Sequence, residues 1–270
     1  MPGLRSGEAV AAFALTEPEA GSDAAALALR AEPDGAGYRL TGEKTYISNA
    51  PDADIATVFA RTTADTGAKG VTAFAVPIDS EGIEGESIDM ISPHALGRWV
   101  FDGEFVPRSH VLGVVDDGFT IAMETLDLFR PSVGAFALGM AEAALDIAVD
   151  HAKSREAFGT RISGFQGVSH QLADVKTSIE AARLLVYDAA DTYDGGGNAI
   201  TGKAAMAKLF ATETAQRAVD VAIQTLGARG LEADSTLAHL YREVRAPRIY
   251  EGTSEIQRNI IARELFRGLI

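Results

Sequence analysis

The sequence predicts an α+β protein: an antiparallel β domain over residues 1–116, followed by a C-terminal four-helix bundle over 117–270. Two observations carry this expectation. Short apolar or alternating runs, separated by turn-forming residues, fill the first part of the chain. From Gly118 onward the apolar residues recur instead at every third or fourth position.

The strand-like runs are 10–16, 37–47, 53–61, 71–77 and 99–106. Asp34-Gly35, Asn49-Ala50-Pro51-Asp52 and Glu81-Gly82 lie between them as turn signals. Strands spaced this way, with no helical pattern between them, point to an antiparallel sheet or barrel rather than βαβ units.

In the second part, Phe119, Met123, Leu126, Phe129, Val133, Phe136, Met140, Ala143 and Ile147 mark a long helix. Pro131 removes the N–H that would bond the Asp127 carbonyl, so this helix should bend near 127–130, beside Asp127 and Arg130. A second helix, 165–193, follows Val168, Leu172, Val175, Ile179, Ala182, Val186 and Ala189, and should stop at Gly195-Gly196-Gly197. A third spans 199–226 and a fourth 255–266. Their apolar residues are expected to pack as the core of a bundle.

Composition narrows the function. The net charge of −14 argues against a nucleic-acid partner, because phosphate-backbone binding needs clustered cations. With no cysteine, disulfides, thiol nucleophiles and thiolate metal sites are all excluded, and no metal site is expected. No apolar run approaches the roughly 20 residues of a membrane span. The opening Met1-Pro2-Gly3-Leu4-Arg5-Ser6 lacks the apolar stretch of a signal peptide, so a cytoplasmic location is expected.

The most informative stretch is Tyr250-Glu251-Gly252-Thr253-Ser254-Glu255-Ile256-Gln257-Arg258. Ser254 and Gln257 have capping-box spacing: Ser254 would bond the third helical N–H while Gln257 reaches back. A cap has no need of Glu251. A carboxylate in a tight turn against glycine suits a proton-abstracting base, and it equally suits a solvated turn position.

Other segments decide between these readings. Phe13-Ala14-Leu15-Thr16-Glu17-Pro18-Glu19-Ala20-Gly21-Ser22-Asp23, Gly42-Glu43-Lys44-Thr45-Tyr46-Ile47-Ser48-Asn49, Arg155-Glu156-Ala157-Phe158-Gly159, Phe165-Gln166 and 250–258 occur in that order. Together they make the chain resemble the acyl-CoA dehydrogenase family, of short- and medium-chain type, over nearly its whole length. The family's fold is a helical domain, a middle β domain and a C-terminal helical domain, usually in tetramers. The resemblance therefore implies a preceding helical domain of roughly a hundred residues that this sequence does not include. A fragment, a truncated product and one part of a complex supplying those helices all remain open.

The resemblance also implies the chemistry: FAD-dependent conversion of an acyl-CoA thioester to the trans-2-enoyl-CoA, with electrons passed to an electron-transfer flavoprotein. Glu251 takes the position of the α-proton base, and the Glu251 N–H would polarise the thioester carbonyl. The family's second arrangement, with the base on the long helix, is disfavoured because Phe129 occupies that position. Leu15, Thr16, Gly21 and Ser22 would line the isoalloxazine, and Tyr46, Ile47 and Ser48 would pack on it and bond its edge. Arg155 and Phe158 would reach a neighbouring subunit's FAD in a homo-oligomer, a dimer or tetramer. Gln166, Gln224, Gly227 and Ala228 match the adenosine side, and Thr253 and Glu255 match contacts beyond the base. Ala228 replaces one of the usual paired glycines, which puts close backbone approach there in doubt. Ser22, Asp127, Arg130 and Gly252 match substrate positions, with Arg130 as the cation for a phosphate or adenine neighbourhood. Two other readings stay open: a non-catalytic homologue or heteromer subunit, and an acyl-CoA oxidase or related flavin oxidase.

Overall fold

Alternating burial is what a strand with one covered face should show, and 37–48 and 55–61 both display it. The computed structural model describes residues 2–196 and 200–267. It forms a strand at every predicted run. After a short helix α1 (Pro2–Ser6) come β1 (Ala11–Ala14), β2 (Arg30–Asp34), β3 (Gly37–Ser48), β4 (Ile55–Arg61), β5 (Val71–Pro77), β6 (Ile83–Ser87), β7 (Leu96–Pro107) and β8 (Val111–Leu112). The sheet runs in the order β6-β7-β3-β2-β4-β5-β8, with β1 added on β4.

Most pairs are antiparallel, as expected, but the sheet is mixed. Ala11–Ala14 runs parallel to β4 from Ile55 to Val58, and Arg30 meets Arg61 in a parallel contact. The roughly forty residues between β1 and β4 allow this, since a parallel pair needs a long crossover rather than a hairpin. β2 and β6 carry no apolar alternation of their own: Arg30-Ala-Glu-Pro-Asp and Ile83-Glu-Gly-Glu-Ser are largely exposed. Backbone pairing to β3 and to β7 holds them, so periodicity could not announce them. Leu40, Val58, Phe74, Trp99 and Phe101, all nearly inaccessible to solvent, form the centre of this core.

The chain divides into two compact units, Met1–Thr125 and Leu126–Ile270, with the boundary inside helix α2 (Gly118–Ser154). Phe119, Ile121, Ala122 and Met123, in its first turns, pack in a core cluster of the β unit with Phe59 and Val71. The second unit contains the rest of α2, the two-stranded hairpin β9 (Glu156–Ala157) and β10 (Thr160–Arg161), and helices α3 (Gln166–Asp194), α4 (Ile200–Leu226), α5 (Thr236–Glu243) and α6 (Ser254–Leu265). α5 escaped the periodicity reading because it is only eight residues long; the Ser235 side chain caps it by accepting from the Ala238 N–H at 3.1 Å.

The core of this unit is built on alanine: Ala137, Ala141, Ala144 and Ala148 of α2 face Val175, Ile179 and Ala182 of α3 and Ala207, Ala211 and Ala215 of α4. Small side chains let these helices approach closely. At Gly134 a Cβ would stand 2.9 Å from Val186 Cγ2 and 3.3 Å from the Ala207 carbonyl, leaving no room for one. α2 runs as one element through Pro131. It is also the one helix among the described residues long and apolar enough to cross a membrane, which the sequence reading did not anticipate. Ala137, Leu138, Met140, Ala141, Ala144, Leu145 and Ala148 of this helix pack in the bundle core. The end of α3 follows the glycine signal: the Gly195 N–H donates to the Asp191 carbonyl at 3.0 Å, and Gly196 has φ +68°. Gly197 and Ala199, part of the predicted break and of the predicted third helix, lie outside the described residues.

Candidate active site

Glu251 and Gly252 adopt consecutive left-handed conformations, φ +52° and +88°, just ahead of α6. Glycine accepts this region freely; glutamate does so at a cost. The helix cap lies one residue earlier than the sequence suggested. Thr253 is the N-cap, its hydroxyl oxygen accepting from the Ile256 N–H at 3.3 Å. Ser254, expected as the cap, instead donates to Glu213 at 2.6 Å, and Glu213 also pairs with Arg248 at 3.0 Å. Gln257 does reach back, but to carbonyls rather than to an N–H: its amide donates to the Glu251 and Gly252 oxygens at 3.0 and 2.9 Å. The left-handed pair leaves those oxygens without a ladder, and a buried carbonyl must find a donor.

Two cations meet the same turn. Arg130, 4% exposed, donates from Nε to the Glu251 carbonyl at 3.2 Å and from a terminal nitrogen to Asp127 at 2.8 Å. Asp127 in turn accepts from the Thr201 hydroxyl at 2.5 Å. Arg130 and Asp127 are thus committed inside the helical unit. The resemblance implied a cation facing a nucleotide; in the structure two of the guanidinium's nitrogens, Nε and one terminal nitrogen, are bonded to the turn carbonyl and to Asp127. Lys208, fully buried on α4, donates to the Gly252 carbonyl at 2.8 Å. The sequence reading passed over it. Its signal was a lysine on the buried face that also carries Ala204, Ala211 and Ala215.

The Glu251 carboxyl is half-buried, and one of its oxygens, Oε2, is buried with no hydrogen-bond partner. Burial raises the Glu251 pKa above the ordinary carboxylate range, while Lys208 and Arg130 oppose the rise. Burial lowers the Lys208 ammonium to about 8 against the attraction of Glu251. A carboxylate so placed is a stronger proton acceptor than a solvated glutamate, and its Oε2 has no hydrogen-bond partner to displace.

In the β unit a second buried network positions Leu15 and Thr16. Glu17, 6% exposed, accepts from the N–H groups of Ala28 and Leu29 at 2.5 and 3.0 Å and from Lys44 at 2.7 Å. Lys44 also donates to the Leu15 carbonyl at 2.9 Å, and burial lowers its pKa to about 8. The Thr45 N–H donates to the Thr16 carbonyl at 3.0 Å. These bonds join the Leu15-Thr16 segment to β3 at a bulge between Lys44 and Ile47, where Tyr46 stands 56% exposed at φ +55°. Gly21, Ser22 and Ser48 are exposed in the same unit. Leu15 and Ile47 are not: their side chains are core, so only their backbones can meet a ligand. An exposed aromatic ring, exposed serine hydroxyls and main-chain groups in one unit are the group types that suit a planar ring system with a polar edge, such as a flavin.

The other expected cofactor residues lie apart from the turn. Arg155 is exposed where α2 gives way to the β9–β10 hairpin, and Phe158 at its tip is 97% exposed. Gln166 opens α3; Gln224, Gly227 and Ala228 are exposed around the end of α4. Gly227 has φ +63°, while Gly230 supplies the close approach, because a Cβ there would stand 2.7 Å from the Ile223 carbonyl. Glu255 is exposed, and its own N–H and the Thr253 hydroxyl hold its carboxyl below the usual range.

Backbone strain singles out the same positions. Six described non-glycine residues have positive φ: Tyr46, Asn49, Asp65, Asp116, Phe158 and Glu251. Three are Asn or Asp, which tolerate the left-handed region. The other three, a tyrosine, a phenylalanine and a glutamate, are candidate site residues, and strain kept at such costs gathers where function needs it.

Comparison with known proteins identifies the family. Family models match residues 12–102 as the acyl-CoA dehydrogenase middle domain and 116–266 as the acyl-CoA dehydrogenase C-terminal domain. An acyl-CoA dehydrogenase of Bacillus subtilis is 43% identical over 99% of this chain and 71% of its own length. The structure of butyryl-CoA dehydrogenase from Megasphaera elsdenii superposes with a TM-score of 0.95 at 39% identity, covering 98% of this chain and 70% of that one. The caffeyl-CoA reductase-Etf complex subunit CarC of Acetobacterium woodii is 39% identical over 97% of this chain and 70% of its length. Fold and sequence agree: this chain belongs to the acyl-CoA dehydrogenase family, whose members are FAD-dependent oxidoreductases.

Proposed function

We propose that the chain oxidises a short acyl-CoA to the trans-2-enoyl-CoA, with Glu251 as the base that takes the α-proton. The observation that carries this is the buried, unbonded Oε2 of Glu251 in a strained turn held by Arg130, Lys208 and Gln257. FAD, when bound, supplies the acceptor for the β-hydrogen and its electron pair, which no amino-acid side chain can take. Leu15 and Thr16 through their backbones, with Tyr46, Ser22 and Ser48, would hold its ring. The Glu251 N–H would donate to the thioester oxygen as negative charge develops there. The Etf complex of the caffeyl-CoA relative supports an electron-transfer flavoprotein as the partner that reoxidises the cofactor.

The test is anaerobic addition of butyryl-CoA to the FAD-loaded chain, butyryl-CoA being the substrate named for the Megasphaera enzyme. Bleaching of the visible flavin band is expected. A chain that retains FAD but is not bleached by acyl-CoAs of any length would refute the activity.

The pH dependence follows from the turn. Proton abstraction needs Glu251 ionised, and burial raises its pKa. The acid limb of kcat/KM is therefore expected above the ordinary carboxylate range, with activity lost as pH falls through the raised pKa. A limb at the ordinary glutamate value would show that the base is solvated.

Self-association is part of the proposal. A bulky Phe158 held at φ +52° and 97% exposed suits burial against a second copy of the chain, and Arg155 beside it suits the pyrophosphate of that copy's cofactor. Arg155→Ala is expected to weaken FAD retention and self-association together, read by flavin release and sedimentation. Unchanged FAD affinity would remove the cross-subunit role.

A further inference from the structure

We propose that Lys208 is a positioning residue: its ammonium on the Gly252 carbonyl completes a clamp, with Arg130 and Gln257, that aims the Glu251 turn and favours the ionised carboxylate. This rests on the reading of Glu251 as the base. The three side chains come from three helices, α2, α4 and α6, and converge on just two oxygens. Gln257 spans both oxygens, Arg130 takes that of Glu251, and Lys208 takes that of Gly252. Both oxygens belong to the residues with left-handed backbone. Holding these oxygens restrains the two peptide planes that follow Glu251, and so narrows the directions its side chain can take.

A lysine serving only to fill space on the buried face of α4 would be replaceable by methionine. Lys208 carries a charge into that face, and the groups around it show where the charge acts. Glu251 from the turn, Glu213 from α4 and Glu255 from α6 attract it; Arg130 from α2 repels it. Glu213 is occupied by Ser254 and Arg248, and Glu255 is exposed. Of these three carboxylates Glu251 is the one with a buried, unbonded oxygen, so its ionisation responds most to the loss of this cation.

The test compares Lys208→Met with Gln257→Met in the FAD-loaded chain. Lys208→Met should lower the rate of flavin bleaching by butyryl-CoA about tenfold to a hundredfold, the scale of a small misplacement of a reacting group, and should change KM little. It should also move the acid limb of the rate to higher pH, since a lost neighbouring cation raises the Glu251 pKa. Gln257→Met removes two hydrogen bonds but no charge, so it should lower kcat and leave the acid limb in place. Lys208→Arg, which keeps the charge, should restore the limb. Hydrogen exchange across 250–254 reads the clamp without turnover, and both methionine variants should exchange faster there. If wild type is inert but the variants loosen this segment, the proposed activity fails while the clamp stands. Unchanged exchange in both, or an acid limb unmoved in Lys208→Met, overturns the proposal. If Lys208→Met does not fold, Lys208→Gln, neutral and polar, carries the same two readouts.

Discussion

Glu251→Gln is expected to lower the rate of acyl-CoA-dependent flavin reduction by about 10²–10⁴-fold, the usual contribution of a positioned general base. Glutamine has nearly the shape of glutamate and can occupy the same left-handed turn, so folding, FAD content and acyl-CoA binding should persist. The loss should fall on kcat rather than KM, as for a group that acts only in the transition state. Oε2, buried and unbonded, is where a proton acceptor would be held ready, and the amide that replaces it cannot accept one. Stopped-flow bleaching under anaerobic conditions checks the rate, and flavin absorbance before substrate addition checks the content. A rate within a few-fold of wild type would mean that the abstracting group lies elsewhere.

Arg130→Met should have the largest effect on stability. The Arg130–Asp127 pair has side chains only 5% and 15% exposed, and the same guanidinium holds the Glu251 carbonyl. Removing one partner of a buried pair costs about 3–5 kcal/mol, because the other charge and its acceptors are left behind without solvent. Here Asp127 would keep only the Thr201 hydroxyl, and the turn carbonyl would keep only Gln257. Urea denaturation followed by helical circular dichroism measures the loss. The double variant Asp127→Asn, Arg130→Met should recover part of it, since no charge is then stranded. A loss below about 1 kcal/mol would place Arg130 among weakly coupled surface pairs. The two variants separate the roles of the turn: Glu251→Gln tests its chemistry, Arg130→Met its support.

Much of the candidate site was legible because its residues are local in sequence. Glu251 and Gly252 stand side by side in one nine-residue stretch, and Leu15, Thr16 and Tyr46 belong to segments whose type and order mark the family. The supports of these residues come from far along the chain. Lys208 is 43 residues from Glu251, and Arg130 is 121. In sequence Arg130 reads as a cation one turn from Asp127, and nothing local shows that it also reaches a turn carbonyl 121 residues away. Ser254 shows the same limit: capping-box spacing fits it and fails for Thr253, yet Glu213 on another helix draws its hydroxyl away.

The chain by itself determined the strand-then-helix order and the presence of a carboxylate in a glycine turn, because periodicity and turn chemistry act over a few residues; the face of α2 that is buried is an alanine face, with Phe129 and Phe136 of the periodic stripe exposed. Tertiary structure alone decided that β1 would join β4 in parallel. It also decided that a lysine and an arginine would enter the interior of the helical unit to hold two carbonyls. These outcomes depend on which distant groups share a desolvated space, where an unpaired donor or acceptor is costly and each must find whichever partner the packing brings within reach.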